Sequence, residues 1–266
     1  MAQRVIREIV EQQKIGPGYF KLVIKAPEIV AQAKIGQFVH IKWIAEERNS
    51  DPLLRRPISI NRINHEEETI TLVYRVVGRG TKVLSNLKPG DQLDIMGPLG
   101  TGFSISEDTN RVLVIGGGVG IAPLYPLVNK LIEANKEVIL LLGAETAEEV
   151  IDLDSFQEFD LELKVATMDG SLGKQGFVTD YLEELEQEMD YIYTCGPTPM
   201  MKVIRDWAID FNVPGQASLE ERMGCGTGAC LSCVCQVKIE GKDGWTYKQA
   251  CTAGPVFPLR EVIFDE

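Results

Sequence analysis

Five of the six cysteines in this 266-residue chain lie between residues 225 and 251. Cys225, Cys230 and Cys233 follow a C-x4-C-x2-C spacing, and Cys251 comes after seventeen further residues. This spacing requires one tight loop that presents three thiols and a later segment that returns the fourth. The chain starts without an apolar leader, so we expect a reducing compartment, where clustered cysteines bind metal more often than they form disulfides.

The spacing C-x4-C-x2-C…C is typical of plant-type [2Fe–2S] proteins, in which four thiolates hold two irons. Gly224, Gly226 and Gly228 would let backbone N–H groups approach the cluster sulfurs. The alternatives are buried free thiols or a four-cysteine zinc site, although zinc sites usually have C-x2-C pairs at both ends and this chain has one. Cys235 is either an alternate ligand or a small buried hydrophobic residue.

The composition excludes several classes of protein. With 44% hydrophobic and 25% charged residues, the chain is neither disordered nor collagen-like, and its length suits two or more domains. A net charge of -12 is unlike that of a protein that binds the nucleic-acid backbone. The most apolar stretch, residues 111–131, is interrupted by glycines and prolines. We therefore expect no nucleic-acid partner, no membrane span and a cytoplasmic location.

The N-terminal part of the chain predicts short strands. Residues Tyr19–Ala26, Gly36–Trp43 and Thr69–Val77 are rich in β-branched and aromatic side chains and are flanked by turn signals. A further strand is predicted to begin at Arg55, and a short helix to span Thr81–Leu87. Closely spaced strands with little helix between them predict a small antiparallel β-barrel.

From Arg111 onward, apolar runs alternate with helical patterns. The predicted strands are Arg111–Ile115, Glu137–Leu142, Leu161–Thr167, Asp190–Thr194 and Gln216–Leu219. The predicted helices are Ala122–Ala134, Thr146–Phe156, Thr179–Glu188 and Thr198–Asp210. This alternation predicts a parallel, doubly wound sheet with ligands at the carboxyl ends of its strands.

The sequence thus predicts a multi-domain β plus α/β protein. Its expected parts are a barrel domain over residues 1–102, an α/β domain over 103–219 and a small cysteine-bearing module over 220–266. The last module would contain one short strand, Val234–Glu240.

Two glycine-containing segments predict a dinucleotide site. Residues Ile115–Pro123 end a strand and begin a helix, so glycines could admit phosphate to free N–H groups of the helix. Because Gly120 falls too early for the G-x-G-x-x-G pattern, that segment alone is a weak signal, and an ordinary strand-to-helix turn is the alternative interpretation. A second segment, at the end of the fourth parallel strand, would face the same crevice. The candidate NAD-binding residues are Gly116, Gly117, Gly118, Gly120, Cys195, Gly196 and Pro197.

The role of Cys195 and the choice of nucleotide stay open at this level. Cys195 would lie beside the nicotinamide, or it is a structural thiol with no chemistry. Glu145, Glu148 and Glu149 follow the second parallel strand, where carboxylates accept ribose hydroxyls and repel a 2′-phosphate. This favours NAD over NADP, although an acidic helix start is the alternative explanation. Residues 169–171 (DGS) could contact the nucleotide or form a simple turn.

The barrel carries a second candidate site. Arg56–Ser59 begins a strand with a forked guanidinium suited to a diphosphate and a hydroxyl that could reach a ring edge. Leu72–Arg75 adds an aromatic ring and another guanidinium, and Gly80–Thr81 adds a helix start suited to pyrophosphate. Each has an ordinary explanation, with Tyr74 in the core and Arg75 on the surface. Together they indicate one site for an anion and a ring system.

At this point the sequence resembles a known family. The segments Arg56–Ser59, Gly97–Gly100, Gly116–Pro123 and Cys195–Pro197 resemble the ferredoxin–NADP reductase superfamily. Glu220–Cys235 is similar in particular to the electron-transfer subunits of class 1B dihydroorotate dehydrogenases. The resemblance covers essentially the whole chain.

The resemblance implies one FAD, one [2Fe–2S] cluster and NAD(H) as co-substrate. It implies FAD contacts at Arg56, Pro57, Ile58, Ser59, Leu72, Val73, Tyr74, Arg75, Gly80 and Thr81, and cluster ligation by Cys225, Cys230, Cys233 and Cys251. It also implies an FMN-containing catalytic partner, with two copies of each subunit in a heterotetramer.

The expected function is electron transfer from dihydroorotate through the partner's FMN, the cluster and FAD to NAD⁺, in pyrimidine biosynthesis. No residue of this chain is expected to act as a general base, and Cys195 is the one possible catalytic residue. Two alternatives stay open. One is the FAD/[2Fe–2S] subunit of a related ferredoxin–NAD(P) oxidoreductase or sulfide dehydrogenase complex, and the other is a binding protein with structural zinc.

Overall fold

The computed structural model describes residues 2–44, 51–185, 188–239, 241 and 243–264. In the N-terminal part, six strands close into an antiparallel barrel, which confirms the predicted architecture. They are β1 (Gln3–Gly16), β2 (Tyr19–Lys25), β3 (Phe38–Trp43), β4 (Arg56–Asn64), β5 (Thr69–Arg75) and β6 (Gln92–Leu99), with two short helices, α1 (Pro27–Val30) and α2 (Arg79–Leu84). Around the barrel, the order is β1-β2-β5-β4-β3-β6.

Two barrel strands lie outside the sequence prediction. Strand β1 is a 14-residue strand that pairs with β2 along one half and with β6 along the other. Strand β6 contains Gly97 and Pro98, and a Cβ at Gly97 would lie 2.8 Å from Cγ1 of Val39.

Helix α2 begins at Arg79 rather than at Thr81, because the Thr81 hydroxyl accepts hydrogen bonds from Val77 N and Gly78 N at the helix start.

A seven-stranded sheet follows the barrel. Its strands are β7 (Arg111–Gly117), β8 (Glu137–Ala144), β9 (Glu162–Thr167), β10 (Lys174–Gln175), β11 (Tyr191–Cys195), β12 (Gly215–Ser218) and β15 (Val256–Pro258). The order is β10-β9-β8-β7-β11-β12-β15, and every neighbouring pair is parallel except β12 with β15. The predicted parallel α/β sheet is therefore confirmed.

Three of the four predicted helices differ from the structure. The segment predicted as Ala122–Ala134 is a 3₁₀ helix, Gly118–Leu124, followed by α3 (Tyr125–Glu133). The segment predicted as Thr146–Phe156 is a 3₁₀ helix, Ala147–Glu149, and then α4 (Leu153–Gln157). The segment predicted as Thr179–Glu188 is a 3₁₀ helix, Val178–Glu184, and residues 186 and 187 lie outside the described residues. Helix α5 spans Thr198–Asp210 as predicted.

The breaks in these helices have local causes. Pro123 lacks a backbone N–H and lies inside the first 3₁₀ helix, so a regular α-helix starts only after it. Asp152 has a φ of 58°, a left-handed conformation that separates the second 3₁₀ helix from α4.

The C-terminal part forms a second small sheet. It contains β13 (Val234–Lys238), β14 (Trp245–Gln249) and β16 (Val262–Ile263), in the order β14-β13-β16. Strand β13 ends at Lys238, two residues before the predicted Glu240, which itself lies outside the described residues. Between β14 and β16 the chain returns to the large sheet as β15. The three-way division at residues 102 and 219 stays a prediction.

Polar side chains join the barrel to the large sheet. The β4–β5 pairing is irregular between Ile60 and Arg62, as at a β-bulge. Asn61 is buried, and its Nδ2 donates to Ala122 O at 2.9 Å and to Asp152 Oδ2 at 2.8 Å. Arg62 donates to Asp152 Oδ1 at 2.8 Å and lies 3.9 Å from the centre of the Tyr125 ring. These contacts fix the barrel against the turn that precedes α3.

Among the described residues, we find no helix with the length and apolar character that a bilayer crossing requires.

Candidate cofactor sites

A cavity of about 390 Å³ opens on the barrel wall where β4 begins and β5 ends. It is lined by eight of the ten candidate FAD residues, namely Arg56, Pro57, Ile58, Ser59, Val73, Tyr74, Arg75 and Thr81. Of the other two, Leu72 is fully buried in the barrel core. Gly80 lies against the Arg56 side chain, since a Cβ there would be 2.0 Å from Arg56 Nε. The structure thus places the guanidinium groups of Arg56 and Arg75 and the ring of Tyr74 around one cavity. FAD contacts by these residues stay a prediction.

The Tyr74 ring is held in place from the barrel side. Gln12 on β1 donates to the Tyr74 hydroxyl at 2.9 Å, and the Phe20 ring stacks on Tyr74 at 5.7 Å between centroids. Burial raises the pKa of the Tyr74 phenol well above its usual range, so Tyr74 is neutral. The ring is therefore a rigid, uncharged surface for a planar ligand.

A second cavity of about 630 Å³ lies at the carboxyl ends of the parallel strands. Of the candidate dinucleotide residues, it is lined by Gly117, Gly118, Gly120, Gly196 and Pro197. Strands β7 and β11 are neighbours in register, with Gly116 opposite Cys195, so the two glycine segments meet at one edge of the sheet. Gly120 must be glycine, because a Cβ there would lie 2.5 Å from the carbonyl oxygen of Cys195.

Gly116 and Cys195 lie beneath this cavity rather than on its wall. A Cβ at Gly116 would be 2.9 Å from Cδ1 of Leu124, so this glycine serves packing under the loop. The Cys195 side chain is buried, and burial raises the pKa of its thiol, with the charge of Glu220 adding to the effect. Cys195 is thus a neutral thiol, and its role beside a nicotinamide stays a prediction.

The acidic segment after β8 faces the barrel. Glu149 lies 3.9 Å from Arg75 as an ion pair, and a Cβ at Gly16 would be 2.6 Å from the Glu148 carbonyl oxygen. Ser171 Oγ accepts from Ala147 N at 2.8 Å and is itself bound to Asp169 Oδ1 at 2.6 Å. Residues 169–171 therefore brace the acidic turn, whose preference for NAD stays a prediction.

The two cavities share a short segment, residues 219–221, whose position between them the sequence analysis did not predict. Leu219, Glu220 and Glu221 line both cavities, and the next two residues, Arg222 and Met223, line the flavin-side cavity. Two signals could have found it: the segment leaves the carboxyl end of β12, and Glu220–Met223 begins the stretch that resembles the electron-transfer subunits. Burial by the surrounding protein atoms raises the pKa of the Glu220 carboxyl, although Glu220 lines both cavities.

The cysteine loop follows two residues after Met223. Its turns use left-handed backbone at Gly226 (φ 72°) and Gly228 (φ 85°), and also at Leu231 (φ 58°). Ser232 Oγ accepts from Gly224 N at 2.9 Å, and Gln249 Nε2 donates to Gly228 O at 2.6 Å. These bonds fold residues 224–232 back on themselves.

The four candidate ligands approach each other in pairs. Cys225 and Cys230 lie close enough for each to change the pKa of the other thiol. Ala250 N donates to Cys233 O at 2.8 Å, because the β13–β14 hairpin pairs Val234 with Gln249, and this brings Cys251 next to Cys233. Within the described part of the chain, no three ligand-type side chains are arranged to hold a single metal ion.

Paired thiols fit two irons better than one zinc. In a [2Fe–2S] cluster each iron takes two thiolates, whereas structural zinc needs four ligands around one ion. The Thr227 N–H donates to Cys225 Sγ at 3.3 Å and lowers the pKa of that thiol to about 6, so Cys225 is largely a thiolate at neutral pH. The residues present therefore fit the cluster that the spacing predicts.

Cys235 lies apart from these pairs. Its thiol donates to Lys248 O at 3.4 Å on the neighbouring strand, and burial raises its pKa to about 11. A neutral, hydrogen-bonded thiol of this kind packs as a small hydrophobic residue.

Sequence reasoning also missed His40 on β3. The side chain is fully buried, and neither ring nitrogen has a hydrogen-bond partner among the described residues. Burial, together with the charge of Arg55, lowers the pKa of His40 to about 4, so its imidazole is neutral. No local sequence motif identifies His40 as a site residue, because its neighbours come from β4, β6 and the cysteine loop.

Two families match parts of the chain. Residues 220–263 match the family described as the iron-sulfur cluster binding domain of dihydroorotate dehydrogenase B, and residues 114–206 match the oxidoreductase NAD-binding domain.

Similar proteins and structures cover nearly all of it. The chain is 40% identical over 265 residues to the dihydroorotate dehydrogenase B (NAD(+)) electron transfer subunits of Bacillus cereus (strain Q1) and Bacillus anthracis (strain A0248), covering 99% of this chain and 100% of those proteins. A solved NADH-dependent reduced ferredoxin-NADP oxidoreductase, described in work on flavin-based electron bifurcation, has a TM-score of 0.85 and 37% identity over 98% of this chain and 90% of that one.

A more distant structure shows the fold alone. The cytochrome b5 reductase domain of Ulva prolifera nitrate reductase has a TM-score of 0.66 at 18% identity, covering 79% of this chain and 93% of that domain. By its near-complete match at 40% identity, this chain belongs to the family of dihydroorotate dehydrogenase B electron transfer subunits.

Proposed function

We propose that this chain carries electrons from a dihydroorotate-oxidising partner to NAD⁺ through a [2Fe–2S] cluster and an FAD. In this proposal Cys225, Cys230, Cys233 and Cys251 hold the cluster. The barrel cavity holds FAD, and the cavity at the carboxyl ends of the parallel strands holds the dinucleotide.

One observation carries the proposal. Residues 219–221 line both cavities, residues 222 and 223 line the flavin-side cavity, and Cys225, two residues further on, is the first candidate cluster ligand. One short segment therefore adjoins all three candidate sites, an arrangement that suits stepwise electron transfer.

The chain's own side chains bind and orient the groups and exclude water. Arg56, packed on Gly80, would hold the diphosphate of FAD, and the Tyr74 ring would support its planar ring system. The N–H groups of the glycine loop would bind the dinucleotide phosphates. FAD would supply the chemistry that links the two sides, since a flavin takes electrons singly from an iron–sulfur centre and passes a hydride to NAD⁺.

The partner is proposed to be an FMN-containing catalytic subunit, in a heterotetramer of two copies of each subunit in the cytoplasm, working in pyrimidine biosynthesis. It would approach at the cysteine loop. Cys230 is exposed there, and the neighbouring Leu231 side chain is 62% exposed, so electrons can enter at this end.

Co-expression with a candidate FMN subunit tests the proposal. The purified complex should contain two irons and one FAD per copy of this chain, and should reduce NAD⁺ when dihydroorotate is added anaerobically. A complex that holds zinc instead of iron, or that reduces NAD⁺ without iron, would contradict it.

A second candidate function has its own support. The 37% identity to the ferredoxin-NADP oxidoreductase chain extends over 98% of this chain, so a subunit of a related oxidoreductase complex is the alternative. Isolating the partner decides between them. A dihydroorotate-oxidising FMN protein favours the first function, and a larger pyridine-nucleotide-linked flavoprotein favours the second.

A further inference from the structure

His40 is a buried polar side chain whose ring nitrogens make no hydrogen bond of normal geometry with the described residues, and it lies at a junction between two cofactor sites. Its ring points at the cysteine loop, because a Cβ added at Gly226 would lie 2.6 Å from His40 Nδ1. Gly226 directly follows the candidate ligand Cys225. Met96 on β6 also lies close to Gly226, since its methyl carbon would be 3.1 Å from the same added Cβ.

The backbone of His40 lies next to the flavin-side cavity. In the β3–β4 register, His40 lies opposite Pro57, which lines the flavin cavity. Arg55 Nη1 donates to His40 O at 3.4 Å and to Asp94 O at 2.6 Å, which fixes the backbone at this point. The His40 ring lies close to the backbone of both Arg55 and Cys225. It therefore bridges the start of the flavin-binding strand and the first turn of the cysteine loop.

A buried imidazole without a well-formed hydrogen bond needs a reason. Burying a polar group with no hydrogen bond costs free energy, and an apolar side chain of similar size would fill the space without that cost. The nitrogen that faces Gly226 is placed to donate to the cysteine loop or to a sulfur held by it. Hydrogen bonds of this kind set the potential of an iron–sulfur centre and the orientation of its ligands.

We propose that His40 is a positioning residue for electron transfer, which holds the Cys225–Gly226 turn against the flavin-binding strand and supplies an N–H group to the cluster side. This inference rests on the proposed function, because it requires both a cluster and a flavin. It adds a residue from the barrel to a site whose ligands all lie more than 180 residues later in the chain.

Three variants of the full chain, each co-purified with the partner, test the inference. His40→Phe keeps a planar ring and removes both nitrogens, while His40→Asn keeps an amide near the Nδ1 position. His65→Phe is the matched control, because His65 is the only other histidine and is exposed in the turn between β4 and β5. The measurements are iron and FAD content, the EPR spectrum and midpoint potential of the reduced cluster, and the anaerobic rate of electron exchange between cluster and flavin.

We expect His40→Phe to shift the cluster EPR spectrum, to make the cluster potential more negative and to leave the flavin potential unchanged. Electron exchange should slow by about tenfold, as for other groups that orient metal ligands. His40→Asn should fall between His40→Phe and the unmodified chain, and His65→Phe should match the unmodified chain. Loss of the cluster with FAD retained in His40→Phe would also support the proposal, because it shows that the ring holds the loop.

Two results would overturn the inference. One is a His40→Phe chain with full iron and FAD whose cluster potential is unchanged or more positive. The other is loss of both cofactors together in His40→Phe and His40→Asn, which would make His40 an ordinary core residue. An unmodified chain that binds FAD but no iron would instead contradict the proposed function, so the two failures are distinguishable.

Discussion

The dinucleotide loop (Gly116–Pro123) and the cysteine loop (Gly224–Cys233) are both rich in glycine but are held in different ways. The dinucleotide loop is mostly buried and leaves a parallel strand, and its glycines contact backbone and core side chains. Most of the cysteine loop is exposed or half-buried, and a few hydrogen bonds fold it. The comparison indicates that packing against the sheet holds the first loop, whereas a few hydrogen bonds hold the second.

The largest effect is expected at the cysteine loop. Cys230→Ser should abolish cluster binding and lower dihydroorotate-linked NAD⁺ reduction by roughly 100-fold or more, because loss even of groups around a metal ligand costs about 10–100-fold. Reduction of a dye by NADH should persist, since it needs only the flavin. Iron analysis and both activities are the measurements.

Cys235→Ser is the matched control, because a serine can keep the hydrogen bond to Lys248 O. It should retain iron and coupled turnover. Full coupled turnover in a Cys230→Ser chain without iron would show that electrons do not pass through the cluster.

Glycine substitutions compare the two loops directly. Gly120→Ala should destabilise the folded chain by about 3 kcal/mol, since its Cβ would lie 2.5 Å from a backbone oxygen that cannot move freely. Gly228→Ala should cost only about 1 kcal/mol, from its φ of 85°, because its nearest neighbour is the Thr252 methyl group at 3.1 Å. Thermal unfolding of the FAD-loaded chains measures the difference, and equal losses would contradict the contrast between the loops.

The next-largest loss of stability is expected for substitutions at the polar contacts between the barrel and the sheet. Asp152→Ala leaves the buried Asn61 with one partner fewer and places alanine at a φ of 58°, so we expect a loss of about 2 kcal/mol. Asp152→Asn keeps an acceptor and tolerates this φ, and should lose about half as much. Thermal unfolding measures both, and equal losses in the two variants would show that the hydrogen bond to Asn61 contributes nothing.

The smallest effect concerns acid stability of the barrel. Burial opposes ionisation of Asp94, but hydrogen bonds from Arg4 and Arg55 outweigh it and lower the pKa of the Asp94 carboxyl. A lowered pKa adds stability above the ordinary carboxyl range, and this stability is lost as the pH falls through the lowered pKa. Unfolding midpoints between neutral and acid pH should therefore fall less steeply in Asp94→Asn, whereas parallel curves would assign the acid sensitivity to other groups.

The sequence predicted those parts of the fold that local patterns determine. Runs such as Glu137–Leu142 and helix Thr198–Asp210 carry their own periodicity, so the parallel sheet was predictable. Strand β1 was not, because Val5, Ile6, Ile9 and Val10 have a helix-like spacing that pairing with β2 and β6 overrides. Strand β6 was missed because Gly97 and Pro98 are unusual in a strand.

The candidate site residues also divide into those that a local motif identifies and those that it does not. The cysteine spacing and the Arg56–Ser59 segment are local motifs, and the structure places them at adjoining sites. His40 has no motif, and the resemblance of Glu220–Cys235 did not indicate that residues 219–221 lie between the two cavities, because both positions follow from which strands are neighbours. The left-handed Asp152 likewise depends on its partners Asn61 and Arg62 in the barrel, and this explains why a continuous helix was expected there.

Anaerobic addition of NADH to the complex, followed by optical and EPR spectroscopy, tests most directly whether flavin and cluster adjoin. We predict bleaching of the flavin absorption, followed by the EPR signal of a reduced [2Fe–2S] centre, with two irons for each FAD. Flavin bleaching with no cluster signal in an iron-loaded complex would contradict electron transfer between the two sites.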